Sequence, residues 1–120
     1  MSPPDLLSTS VTRTDGVAVV SAAGEIDLST ASAFEAAIAE ALAGDPTVLV
    51  IELSAVDFLA SSGLRILVAT QEKVSKSTQV AVVADRPATR RPIQLTDLDK
   101  VFSLYMSLDD ALADVPTTAE

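Results

Sequence analysis

Apolar and polar positions alternate in three distinct rhythms along this chain. Ser8 to Arg13 alternates polar and apolar, which predicts an edge strand. Asp15-Gly16 is a turn signal, and Val17 to Ala22 is β-branched and apolar, so the two runs predict a hairpin. The second run reads as a strand covered on both faces. From Gly24 to Thr30 the pattern leaves the sheet. Phe34, Ala37, Ile38, Ala41 and Leu42 then fall at i, i+3, i+4, i+7 and i+8, one stripe of a helix. Ser29 or Thr30 suits its N-cap, and Gly44 with Asp45-Pro46 marks its end.

Thr47 to Leu53 is the clearest strand, apolar enough to be central and buried on both faces. Val56 to Arg65 joins it to a helix in which Leu64, Leu67, Val68 and Gln71 share a side and whose polar tail runs through Lys76. Gln79 to Ala84 predicts another buried strand. Arg90 to Leu98 predicts a short helix with Pro92 in its first turn. Leu98 to Val101 connects to a short strand over Phe102 to Met106. Ser107 caps a last helix through Val115, with Asp109 and Asp110 where the helix dipole favours acids. The lead up to about Leu6 and the tail from Pro116 are expected to be loose.

The predicted order is β-β-α-β-α-β-α-β-α. A strand, a helix and a parallel strand in sequence imply right-handed crossovers. The expected fold is therefore α/β, a sandwich of a small mixed, mostly parallel sheet with helices. One domain over residues 1–120 is the economical reading of 120 residues, with an ordered core from about 8 to 115.

Composition narrows the chemistry. The chain is 48% apolar but only 3% aromatic, so the core is aliphatic. It has no cysteine and no histidine, which excludes a disulfide scaffold, thiol redox control and the usual zinc sites. A net charge of −9 disfavours nucleic acid and anionic membranes and would steer in a basic partner. No stretch has the length of a signal peptide or a membrane span, so the cytoplasm is the default location. The pattern carries no signal of oligomeric state.

Candidate chemistry gathers at the joint. Ser61 and Ser62 lack a histidine base, and Leu59 to Gly63 is not a nucleophile elbow, which argues against a serine hydrolase. Glu25 and Asp27 would point the same way on an extended segment, but no further ligand supports a metal. The four glycines are scattered and form no phosphate loop, and no cofactor is expected. Ser61 has two readings: an N-cap worth ~1 kcal/mol, or a phosphorylation site where a phosphate meets free N–H groups. Arg65, beyond it, either contacts a phosphate or a partner carboxylate or is simply solvated. Arg90-Arg91 reads as surface, or as a partner for nearby acids.

The order of elements, Gly24-Glu25-Ile26-Asp27 before the first helix and Ser61-Ser62-Gly63-Leu64 at the head of the second resemble the STAS domain, nearest to bacterial anti-sigma factor antagonists. The resemblance runs from about Ser8 to Val115. It implies a non-enzymatic switch that binds an anti-sigma factor, itself a serine kinase, and so frees a sigma factor. It also implies a phosphatase that reverses the kinase. By position the phospho-acceptor is Ser61, and Asp27 is the acidic residue beside it. The implied contact surface takes in Asp27, Ser61, Ser62, Gly63, Leu64 and Arg65. The family usually places Asp before the acceptor, where this chain has Ala60. An alternative is a STAS scaffold or sensory module that binds a small ligand or nucleotide.

Overall fold

The computed structural model describes residues 6–74 and 76–114. The expected loose tail from Pro116 and the lead before Leu6 lie outside the described residues, as does Val115. The elements follow the expected order: β1 (Leu7–Thr14), β2 (Val17–Ile26), α1 (Ala31–Leu42), β3 (Val48–Leu59), α2 (Ser61–Lys73), β4 (Gln79–Val83), α3 (Pro87–Leu95), β5 (Ser103–Tyr105) and α4 (Leu108–Asp114). A single 3-10 turn, Leu98–Lys100, fills the connection before β5.

The sheet runs β1-β2-β3-β4-β5, with β1 antiparallel to β2 and every later pair parallel. Each crossover steps to the next strand in the same direction. Right-handed crossovers that always step the same way put their helices on one face. Phe34, Ala37, Ile38 and Ala41 of α1, Ile66 and Leu67 of α2, and Ile93 of α3 accordingly join one core with Val20, Leu49, Ile51 and Val82. Only α4 covers the opposite face, where Ala111 meets Val48, Val50, Ala81 and Val83. That explains why β3 and β4 are buried on both sides. It also corrects the reading of β2. Its second face, Val17, Val19, Ser21 and Ala23, has no helix above it and is half-buried.

Two strands run further than their sequence pattern suggests. β2 continues to Ile26 and β3 to Leu59, and the two stay paired through Glu25–Phe58 and Ile26–Leu59. The pairing survives because β3 twice takes one residue more than β2, between Ser21 and Ala23 and again between Gly24 and Glu25. Each extra residue is a β-bulge, which bends the strand and re-aims its side chains. The core-facing residues of β3 are thus Leu49, Ile51, Leu53, Val56 and Leu59, spaced by two and then by three.

The start of α3 also moved. α3 begins at Pro87, so Pro87 takes the first-turn place and Pro92 lies inside the helix. Arg90 is not a surface charge: its guanidinium donates to the carbonyls of Ala84 and Tyr105 (2.8 and 3.4 Å) and ties the end of β4 to β5. Ser107 behaves as read, its hydroxyl accepting the Asp110 N–H at 3.0 Å.

Candidate functional site at the head of the second helix

The carboxyl-terminal ends of β2 and β3 carry the β2–α1 turn and the start of α2 side by side. The Ala60 N–H donates to the Ile26 carbonyl at 2.8 Å and stitches them together. Open parallel sheets place their binding crevices at this end of the strands.

Ser61 is not the N-cap. That place belongs to Ala60, which is extended at φ −85° and ψ 171° and has no side chain to cap with. Its carbonyl accepts the N–H groups of Gly63 and Leu64 at 2.9 and 3.2 Å. Ser61 is instead the first helical residue, exposed, and its hydroxyl makes no hydrogen bond among the described residues. The capping reading therefore fails, and the hydroxyl is left available. Ser62 is different. Its Oγ is buried and is the one buried side-chain polar atom with no partner among the described residues.

Gly63 fixes how closely this helix approaches the sheet. A Cβ there would stand 2.5 Å from Leu59 Cδ1 and 2.7 Å from Ile26 Cγ2. Both neighbours are buried and cannot step aside. Gly63→Ala is expected to lower unfolding stability by about 1–2 kcal/mol in urea titration, overpacking outweighing the helix propensity that alanine brings. An unchanged midpoint would show that the contact relaxes freely.

Asp27 does not pair with Glu25. It lies past the end of β2, and its Oδ1 accepts the Ser29 N–H (2.9 Å), the Ser29 hydroxyl (2.7 Å) and the Thr30 N–H (3.2 Å). Thr30, at the N-cap of α1, makes no side-chain cap; its hydroxyl accepts from the Asp27 N–H at 2.9 Å and donates to the Glu25 carbonyl at 2.8 Å. Asp27 thus braces the turn beside Ser61. The Ser29 hydroxyl above all holds its carboxyl below the ordinary 3.8; desolvation opposes it, and the Ser29 and Thr30 N–H groups add to the lowering. A folded pKa below the unfolded one means that this stabilisation is complete above the ordinary carboxylate value and is lost as pH falls through the folded pKa. Asp27→Asn is therefore expected to lower the urea midpoint most at neutral pH, with the deficit shrinking below about pH 4. A deficit independent of pH would contradict that role.

The bulged end of β3 supplies residues that the sequence reading missed. Phe58 is 50% exposed, and Leu28, in the turn beside Asp27, is 85% exposed. Leu6, Leu95 and Met106 are at least as exposed as Phe58, so exposure alone does not set this end of the molecule apart. An aromatic just before the serine pair was a legible signal, but its outward direction depends on the bulge. Asp57 beside it pairs with Arg86 at the start of α3 (2.7 Å). Leu64 is half-buried against the core, whereas Arg65 is exposed and makes no ion pair among the described residues. The proposed contact residues Asp27, Ser61, Ser62, Gly63, Leu64 and Arg65 therefore share one end of the molecule. Ser61 and Arg65 face solvent, while Gly63 is buried and serves the packing.

No helix among the described residues is long and apolar enough to cross a membrane. The STAS domain family model matches residues 8–111. The chain is 55% identical over 115 residues to the anti-sigma-F factor antagonist RsfB of Mycobacterium tuberculosis, covering 96% of this chain and 94% of that one. The crystal structure of an anti-sigma factor antagonist from Mycobacterium paratuberculosis superposes with a TM-score of 0.89 at 58% identity, covering 96% and 98% of the two chains. The phosphorylated form of the Bacillus cell fate determinant SpoIIAA superposes with a TM-score of 0.69 at 18% identity, covering 91% and 100%, a likeness of fold alone. This chain therefore belongs to the STAS domain family, as a homologue of an anti-sigma-F factor antagonist.

Proposed function

We propose that this chain is itself an anti-sigma factor antagonist: a binding protein, not an enzyme, that captures an anti-sigma factor and so frees a sigma factor for transcription in the cytoplasm. The single observation that carries the reading is the exposed, unbonded hydroxyl of Ser61 beside Leu28 and Phe58. Apolar side chains of that size give a contact its energy when a partner buries them. A hydroxyl at their edge gives the contact its control. The anti-sigma factor is of the serine-kinase type; it phosphorylates Ser61, and a phosphatase restores the hydroxyl.

The electrostatics support a switch of this kind. A phosphate carries nearly two negative charges. At Ser61 it would join a chain already at −9. The helix head tolerates an anion well, but an apolar contact closing over it would have to bury the charge, at a cost of several kcal/mol. Asp27 braces its own turn through Oδ1 alone. With Ala60 in front of Ser61 the base comes from the kinase.

The small-ligand alternative has less behind it. The hollows of about 220 Å³ over β1–β3 and about 340 Å³ beside the Leu98–Lys100 turn are open to solvent, and neither is lined by Ser61. The direct test is displacement. Added to a preformed complex of an anti-sigma factor with its sigma factor, this chain should release the sigma factor, seen by gel filtration. A complex that stays intact at excess chain would refute the reading.

A further inference from the structure

Arg65 stands one helical turn beyond Ser61, at i+4 on α2. Side chains on a helix tilt toward its N-terminus, so a long residue covers the surface over the preceding turn. The Arg65 side chain therefore reaches back over the residue that would carry the phosphate. An acid placed four residues before a base is also the favourable order for a helical ion pair. Nothing competes for this guanidinium, since no carboxylate among the described residues pairs with it. Of the other arginines, Arg13 donates to the Glu40 carbonyl, Arg86 pairs with Asp57 and Arg90 braces β4 and β5, while Arg91, on α3, is exposed and also makes no ion pair among the described residues.

A second observation points to an anion at the same place. The Ser62 hydroxyl is buried without a partner. An unsatisfied buried hydroxyl is costly, and a polar group brought to this helix head could relieve it. The N–H groups of Ser61 and Ser62 also have no acceptor among the described residues. The acidic groups nearby are Asp27, held by its own turn, Asp57, held by Arg86, and Glu25, which is exposed. Arg65 is the unpaired cation on the same helix as Ser61, one turn away.

We propose that Arg65 is the internal counter-ion of a phosphate on Ser61, so that phosphorylation both adds negative charge to the contact surface and withdraws a cation from it. The inference rests on the reading of Ser61 as the modified residue. In the unmodified chain Arg65 is free to meet a partner carboxylate. In the phosphorylated chain it turns to the phosphate in a bidentate pair. Lysine would keep the charge but not the fork, and so only part of the effect.

The test uses the full chain with phosphoserine built in at position 61 during synthesis, so it does not depend on any kinase. Phosphorus NMR then follows the second ionisation of the phosphate as pH is varied. In the parent chain it should lie below the value of about 6 for an isolated phosphoserine. Arg65→Gln should raise it by roughly 0.3–1 unit, and Arg65→Lys should recover at least half of that shift. Salt at about 1 M should shrink the difference. The exposed position keeps all three proteins folded, checked by circular dichroism. Equal titrations in the parent and Arg65→Gln would overturn the assignment. An assignment upheld beside an unmodified Ser61 in kinase reactions would instead count against the reading of Ser61 alone.

Discussion

Phe58→Asp is expected to weaken binding to an anti-sigma factor by about 30-fold or more, the loss of about 2 kcal/mol typical of a central aromatic contact. Phe58 is half exposed at the bulged end of β3 and contributes to no core cluster. Its removal should leave the unfolding midpoint nearly unchanged. The aspartate also puts a carboxylate where the contact must close, beside the already acidic Asp57. Leu28→Asp, in the turn across from it, should act in the same direction. Binding that matches the parent chain in both variants would place the contact elsewhere on the molecule.

Gly24→Ala should have the largest effect on folding. Gly24 sits at φ +117°, a region that alanine rarely adopts, and a Cβ there would lie 2.1 Å from the Leu6 carbonyl oxygen. That oxygen also accepts the Glu25 N–H at 2.9 Å. The start of β1 must peel away to make room, and the hydrogen bond goes with it. Strain and the lost bond together cost about 3 kcal/mol, or roughly 10 °C in melting temperature for a chain of this size. The damage should reach the site, because Gly24 lies between the two bulges and just ahead of Asp27. A melting temperature within about 2 °C of the parent would contradict this.

These two positions also show what the sequence could and could not disclose. The helices and the parallel strands were legible because each buries a regular stripe: period 3.6 in Phe34 to Leu42, a near-continuous apolar run broken by Glu52 in Val48 to Leu53. The site was legible as a location through the serine pair and Gly63. The extension of β3 was not. After Leu53 its buried residues are Val56 and Leu59, spaced by three, and a bulged strand with that spacing looks like irregular or helical chain. Gly24 looked like an exit from the sheet for a related reason. It permits a twist that lets β2 follow β3 around the bulge. Phe58 could not be placed outward until the extra residue was known. The capping reading of Ser61 failed by one position, since nothing in Ala60-Ser61-Ser62 says which residue is the last extended one. The uneven cover of the sheet was missed because it depends on strand order. With neighbours in the sequence 1 to 5, three crossover helices share one face and α4 alone serves the other.

In the proposed function, two features separate binding from its control. Under the proposed function the contact rests on Leu28 and Phe58, which any change of charge nearby would penalise. The proposed control rests on the Ser61 hydroxyl, which makes no hydrogen bond among the described residues. A helix head that stabilises an anion allows the chain to be modified without unfolding, so the same fold persists in both states. Titration calorimetry of an anti-sigma factor into this chain tests that division most directly. Parent and Ser61→Ala should bind within about threefold of each other, while Ser61→Glu and the chain phosphorylated at Ser61 should bind at least about tenfold more weakly, a difference near 1.4 kcal/mol. Equal affinity in all four forms would contradict the account.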